Sequence, residues 1–118
     1  MIDPNVRLQR AQNALYERLR EAIASLNDAD LASLNVLEAI LARGRRDATV
    51  LIDSNGILPS DRSRILSKLK KAAGYISGYV ATAQGWRHSP ALHFKFDDSL
   101  ENAARLDALF KRIGGETK

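Results

Sequence analysis

The chain has 118 residues, 45% of them hydrophobic, which predicts one domain over residues 1–118 with one modest core. It contains no cysteine, which excludes disulfides, thiolate nucleophiles and cysteine-based zinc sites, and its net charge is only +4. No apolar run approaches the roughly 18 residues of a membrane span, and Met1-Ile2-Asp3-Pro4 lacks a basic region followed by an apolar one. A soluble, unprocessed, cytoplasmic chain without a membrane partner is expected.

Asp3-Pro4 fits a helix start, with Asp as N-cap and Pro at the first helical position. Leu8, Ala11, Leu15, Leu19, Ala22, Ile23 and Leu26 recur at three- and four-residue spacings and predict a helix over residues 4–26. Asn27-Asp28-Ala29-Asp30 reads as its stop. Two apolar runs, residues 34–42 and 48–52, flank Arg43-Gly44-Arg45-Arg46-Asp47 and predict a strand hairpin. Asp53-Ser54-Asn55-Gly56 is a turn cluster, and Ser60 after Pro59 is available as an N-cap. Ile65, Leu69, Ala72, Ala73, Ile76, Val80 and Ala83 then keep a helical period up to Gly85, a glycine stop.

After Trp86-Arg87-His88-Ser89-Pro90, the residues Leu92, Phe94 and Phe96 alternate with His93, Lys95 and Asp97, the pattern of a half-buried strand. Asp97-Asp98-Ser99 offers caps for a last helix carrying Leu100, Ala103, Leu106, Asp107, Leu109, Phe110 and Ile113 and ending at Gly114-Gly115. The order helix, strand, strand, helix, strand, helix predicts an α+β fold. Its three-stranded sheet should have helices packed on one face and a right-handed crossover.

Charge is distributed unevenly. From Arg62 to Phe96 there are seven Lys or Arg and no Asp or Glu, whereas the remaining residues hold 11 basic and 14 acidic side chains. A concentrated positive field favours a polyanion, so nucleic acid is the expected ligand. Within this segment Lys68-Leu69-Lys70-Lys71-Ala72-Ala73-Gly74-Tyr75-Ile76-Ser77-Gly78 places two glycines in a helix, each costing roughly 0.5–1 kcal/mol relative to alanine. Gly74 and Gly78 fall almost opposite the core-facing residues, so they do not serve core packing.

Other constellations favour structural explanations. His88 and His93 are five residues apart with no third ligand at metal spacing, so no metal site is expected. Trp86 reads as an anchor into the core, the alternative being a ring stacked on a base. Asp97 and Asp98 are explained as caps. Gly-x-x-x-Gly at Gly74 and Gly78 lacks the apolar surroundings of a membrane pairing face. Arg43, Arg45 and Arg46 are either a second basic contact or solvated turn charges. With no nucleotide-binding loop, nucleophile–base pair or metal set, neither an enzyme nor a cofactor is expected.

The second half of the chain resembles the ribosome-binding factor A family, bacterial assembly factors of the small ribosomal subunit. The resemblance lies in Lys71-Ala72-Ala73-Gly74-Tyr75-Ile76, Arg87, Pro90, Leu92, Phe94 and Asp97-Asp98-Ser99-Leu100, in order and spacing over about 40 residues. The first half agrees in layout and less in letters: Asn27-Asp28-Ala29-Asp30 stands where the family has Asp-Pro-Arg. Ala48-Thr49-Val50 matches the family's Ala-x-Val, but Ala42-Arg43-Gly44 lacks its Ser-x-Asp. These departures mark a divergent member.

The resemblance implies a KH-like fold of the second topology, in which an Ala-x-Gly kink between two helical pieces replaces the KH Gly-x-x-Gly loop. Ala72-Ala73-Gly74 matches that kink. A break at Gly74 would open backbone amides to phosphate, as at KH helix starts. Lys70 and Lys71 would neutralise phosphates, with Lys68 and Arg64 extending the track and Arg87 joining it. The implied partner is the immature small ribosomal subunit and its rRNA, bound by a monomer that leaves the mature subunit. A generic RNA or single-stranded DNA module and a basic protein-interaction domain are the alternatives.

Overall fold

The computed structural model describes residues 3–116, with all side chains among them except those of 101, 104 and 113–116. Helix α1 (Pro4–Ala24) begins as its sequence dictates: the Asp3 carboxylate accepts a hydrogen bond from the Asn5 amide at 2.9 Å, and Pro4 occupies the first turn. A one-turn helix, α2 (Ala29–Ala32), follows. The 27–30 stretch is therefore more than a stop: Asp28 caps α2 by accepting from the Asp30 amide at 3.0 Å, and Leu31 is buried beneath it.

Strands β1 (Val36–Leu41) and β2 (Asp47–Asp53) form the expected hairpin, antiparallel, with an irregularity between Val36 and Glu38. Strand β3 (Ala91–Asp97) lies parallel to β2, with Asp47 opposite Ala91 and Asp53 opposite Asp97, so the sheet order is β1-β2-β3. Between them runs helix α3 (Pro59–Gln84). Helix, hairpin, helix and strand follow in the order expected of the second KH topology.

One face of the sheet is buried under α1 and α3. Leu15, Leu19 and Ile23 from α1 meet Leu69, Ile76 and Val80 from α3 over Val50 and Ile52, all essentially solvent-free. Each such aliphatic side chain contributes about 1.5–3 kcal/mol through burial. The edge strand β1 is covered rather than open: Gln12 accepts from the Leu41 amide at 2.9 Å, and the Tyr16 hydroxyl donates to the Val36 carbonyl.

The structure departs from the sequence expectation at three places. Helix α3 runs unbroken through Ala72-Ala73-Gly74, and Gly74 is not among the positive-φ residues, so the two helical pieces expected on either side of it are one continuous helix. Ser60 is not the N-cap, because Pro59 already occupies the first turn; Leu58 holds the cap position without a side-chain bond. The last helix, α4 (Ser99–Glu116), runs through Gly114-Gly115 and is absent from the principal packing contacts. Leu100, Leu106, Leu109 and Phe110 stay 48–59% exposed on it, while the Ile113 side chain lies outside the described residues.

Candidate nucleic-acid interface

The carboxylate-free segment does not present all its cations to solvent. Lys68 Nζ lies 2.9 Å from Asp30 and 3.1 Å from Asp28, and Arg64 pairs with Asp30 and, at 3.3 Å, with Asp61. Hydrogen bonds from Lys68, with Arg64 adding to those on Asp30, hold both carboxyls below the ordinary carboxylate range. The same bonds raise Lys68 and Arg64. Arg62 reaches Asp98 at 2.8 Å and lies over the Phe96 ring. Arg64 and Lys68, expected in the phosphate track, are thus occupied by carboxylates that α2 and its cap bring against α3. The sequence carried a signal: Arg64 and Lys68 are four apart on one helix face, opposite a capped Asp-x-Asp.

Lys70 and Lys71 behave differently. Both are exposed, and neither forms an ion pair among the described residues. Lys71 precedes by one turn a shallow concavity of about 520 Å³ lined by Gly74, Tyr75, Gly78, Tyr79 and Thr82, whereas Lys70 lines a separate cleft with Leu66, Leu92, His93 and Phe94. A Cβ at either glycine would meet nothing within 4 Å, so the missing side chains flatten the outer ridge of α3 rather than relieve a clash. Because the helix is unbroken, its interior amides remain bonded within it. Gly74 therefore offers close approach but not the free donors of a KH glycine loop. Tyr75, 63% exposed, adds an aromatic face beside the ridge.

A second basic site forms just beyond the C-terminal end of α3. Parallel pairing of Asp47 with Ala91 brings the hairpin tip against the turn before β3, and the Ala91 amide donates to the Arg46 carbonyl at 2.8 Å. Arg45, Arg46, Trp86, Arg87 and His88 line a groove of about 730 Å³, with Gly44 and Gly85 in its walls. Arg43 lies instead in a separate cleft, with Arg45 and the start of α1. Trp86 packs against the core and also lines the groove, so the two alternatives for it are compatible.

The histidines are separated: His88 faces this groove, while His93 bonds Asp47 at 3.0 Å. Asp97 caps the Ser99 amide at 2.8 Å, and the Asp98 carbonyl accepts from Asn102 as its carboxylate holds Arg62. Among the described residues no group of three potential metal ligands forms, and no helix is long and apolar enough to cross a membrane.

The sequence profile of the family described as ribosome-binding factor A matches residues 7–110. Ribosome-binding factor A of Helicobacter pylori strain J99 is 46% identical over 109 residues, covering 92% of this chain and 93% of that one. The solution structure of a Thermotoga maritima protein described as a putative ribosome-binding factor A aligns with TM-score 0.67 at 22% identity, over 80% of this chain and 91% of the other. Thermus thermophilus ribosome-binding factor A coordinates, fitted into a cryo-electron microscopy map of its complex with the 30S subunit, align with TM-score 0.61 at 22% identity, over 75% and 92%. The chain belongs to the ribosome-binding factor A family.

Proposed function

We propose that this protein is a non-catalytic assembly factor that binds the immature small ribosomal subunit through its rRNA and leaves once the subunit matures. It acts in the cytoplasm as a single-domain monomer. The observation that carries this reading is the family match over residues 7–110, most of the chain, on a KH-like fold. The relative from Thermus thermophilus, whose coordinates fit a map of a 30S complex, supports the choice of subunit.

The geometry supports a narrower RNA-facing set than the segment's total charge suggests. Lys70 and Lys71 beside the Gly74–Gly78 ridge, together with Arg43, Arg45, Arg46 and Arg87, lack carboxylate partners among the described residues. Arg64 and Lys68 serve instead to fasten α2 to α3. Phosphate contacts of this kind position a protein on RNA without reading its sequence.

Sedimentation of cell extract tests the proposal. The protein is expected to travel with free small subunits and not with assembled ribosomes, and nuclease treatment should release it. Migration only with proteins after nuclease treatment would identify a protein-interaction domain. Equal binding to any single-stranded RNA or DNA, without enrichment on small subunits, would identify a generic module.

A further inference from the structure

We propose that the groove between the hairpin tip and the turn before β3 binds one unpaired RNA nucleotide, its base stacked on Trp86 and its flanking phosphates held by Arg45, Arg46 and Arg87. The proposal deepens the RNA-binding reading above and rests on it. It concerns a surface separate from the α3 ridge.

Size and charge agree. A volume of about 730 Å³ lies within the roughly 300–1,000 Å³ of sites that enclose small ligands. Three arginines and a histidine line it, and no Asp or Glu does. Asp47, next in sequence to Arg46, is drawn to His93 on the open sheet face. Among the described residues Arg45 reaches the neutral Arg7 carbonyl, at 3.5 Å, and pairs with no carboxylate, so it keeps its charge available. The planar fork of arginine suits both phosphate oxygens and the face of a base better than lysine would.

The platform is held rigidly. Gly85, at φ +69°, ends α3, and the Trp86 amide then bonds the Ala81 carbonyl at 2.8 Å. This is the Schellman arrangement, in which the residue after the left-handed glycine packs an apolar side chain back on the helix. Trp86 is fixed on its core side for that reason, while its exposed side lines the groove. Pro90 is fully buried, its carbonyl accepts from Ser77 Oγ, and the Arg46–Ala91 bond closes the other wall. A site so constrained loses little conformational freedom on binding.

An acidic peptide would satisfy the arginines but leave the indole surface in water. A nucleotide uses both, since every base has a stacking face. This favours RNA over an acidic protein segment.

The chain has a single tryptophan, so its fluorescence reports on this groove. The full-length protein is titrated in parallel with a short single-stranded RNA, an abasic oligonucleotide of equal phosphate count, and polyglutamate. Saturable quenching by RNA that exceeds quenching by the other two is expected. Trp86→Leu should weaken that RNA by about 5-fold to 150-fold, the range measured for stacked bases. If Trp86→Leu fails to fold, Arg46→Gln/Arg87→Gln keeps the test: the salt dependence of binding should flatten by about 0.7 per lost phosphate contact. RNA binding without quenching, or quenching equal with the abasic strand or polyglutamate, overturns the proposal. Small-subunit sedimentation of the wild type is run alongside. Sedimentation with unchanged fluorescence sinks only the groove, whereas quenching without sedimentation sinks only the ribosomal reading.

Discussion

Replacing Gly74 and Gly78 by alanine separates the cost of the helix ridge from its use. Both positions lie inside the unbroken helix α3, neither has positive φ, and a Cβ at either meets nothing within 4 Å. Strain and clash are therefore absent, and each substitution should recover roughly 0.5–1 kcal/mol of helix propensity. Unfolding entropy of about 2.1 cal/mol/K per residue gives about 0.25 kcal/mol/K for 118 residues, so the double variant should melt about 4–8 °C higher. Far-UV circular dichroism on heating measures this. The same two methyl groups project into the concavity beside Tyr75 and Tyr79. If rRNA packs there at interior density, affinity for small subunits should fall by about 5-fold or more, the equivalent of overpacking by 1–3 kcal/mol. A melting temperature that falls or does not move would refute the helix-interior argument. A raised melting temperature with unaltered binding would show that the partner does not reach the ridge.

Lys70→Glu/Lys71→Glu should weaken RNA binding and flatten its log–log salt dependence by about 1.4, two single-strand phosphates, whereas Arg64→Gln/Lys68→Gln should leave that slope nearly unchanged. Equal flattening by both pairs would mean that the α2 carboxylates do not hold Arg64 and Lys68 in solution. Asp28 and Asp30 titrate below their unfolded value of about 3.9, so the unfolded chain takes up protons first as pH falls. Their stabilising contribution is complete above that value and is lost as pH drops below about 4 toward the lowered native values. Urea midpoints of wild type and Asp30→Asn should accordingly converge in acid, and a constant gap would argue against the ion-pair cluster. Truncation after Ser99, which removes helix α4 beyond its first residue, should change stability by no more than about 0.5 kcal/mol, because α4 is absent from the principal packing contacts. A larger loss would place α4 against the core.

Core periodicity was legible because burial alone enforces it. Leu15, Leu19 and Ile23, and Leu69, Ile76 and Val80, are spaced as one helix face must be, and all are buried as read. Alternation likewise revealed Leu92, Phe94 and Phe96, and the hairpin lies on its two apolar runs. Helix α2 escaped because a single turn shows no period; only the Asp28 cap and Leu31 mark it. The break at Gly74 was inferred from a family pattern and from weakened propensity. Yet two glycines cost a 26-residue helix only about 1–2 kcal/mol, well within what the burial of Leu69, Ile76 and Val80 offsets.

Charge was the least legible property, because sequence orders charges along a line and the fold re-sorts them by strand direction. Strands β2 and β3 are parallel, so their starts share one end of the sheet and their ends the other. The segments before the two starts carry Arg45 and Arg46, and Arg87, which meet although about 40 residues apart. At the other end Asp53 adjoins Asp97 in register, and Asp30, Asp53 and Asp61 line one cleft with Arg64. The molecule is thus electrically polar along α3, and a net charge of +4 understates the field at its basic end. Steering toward a polyanion depends on that local field rather than on the sum. Moving charge between the ends at constant net charge should therefore alter the association rate with rRNA more than adding the same charges at mid-helix.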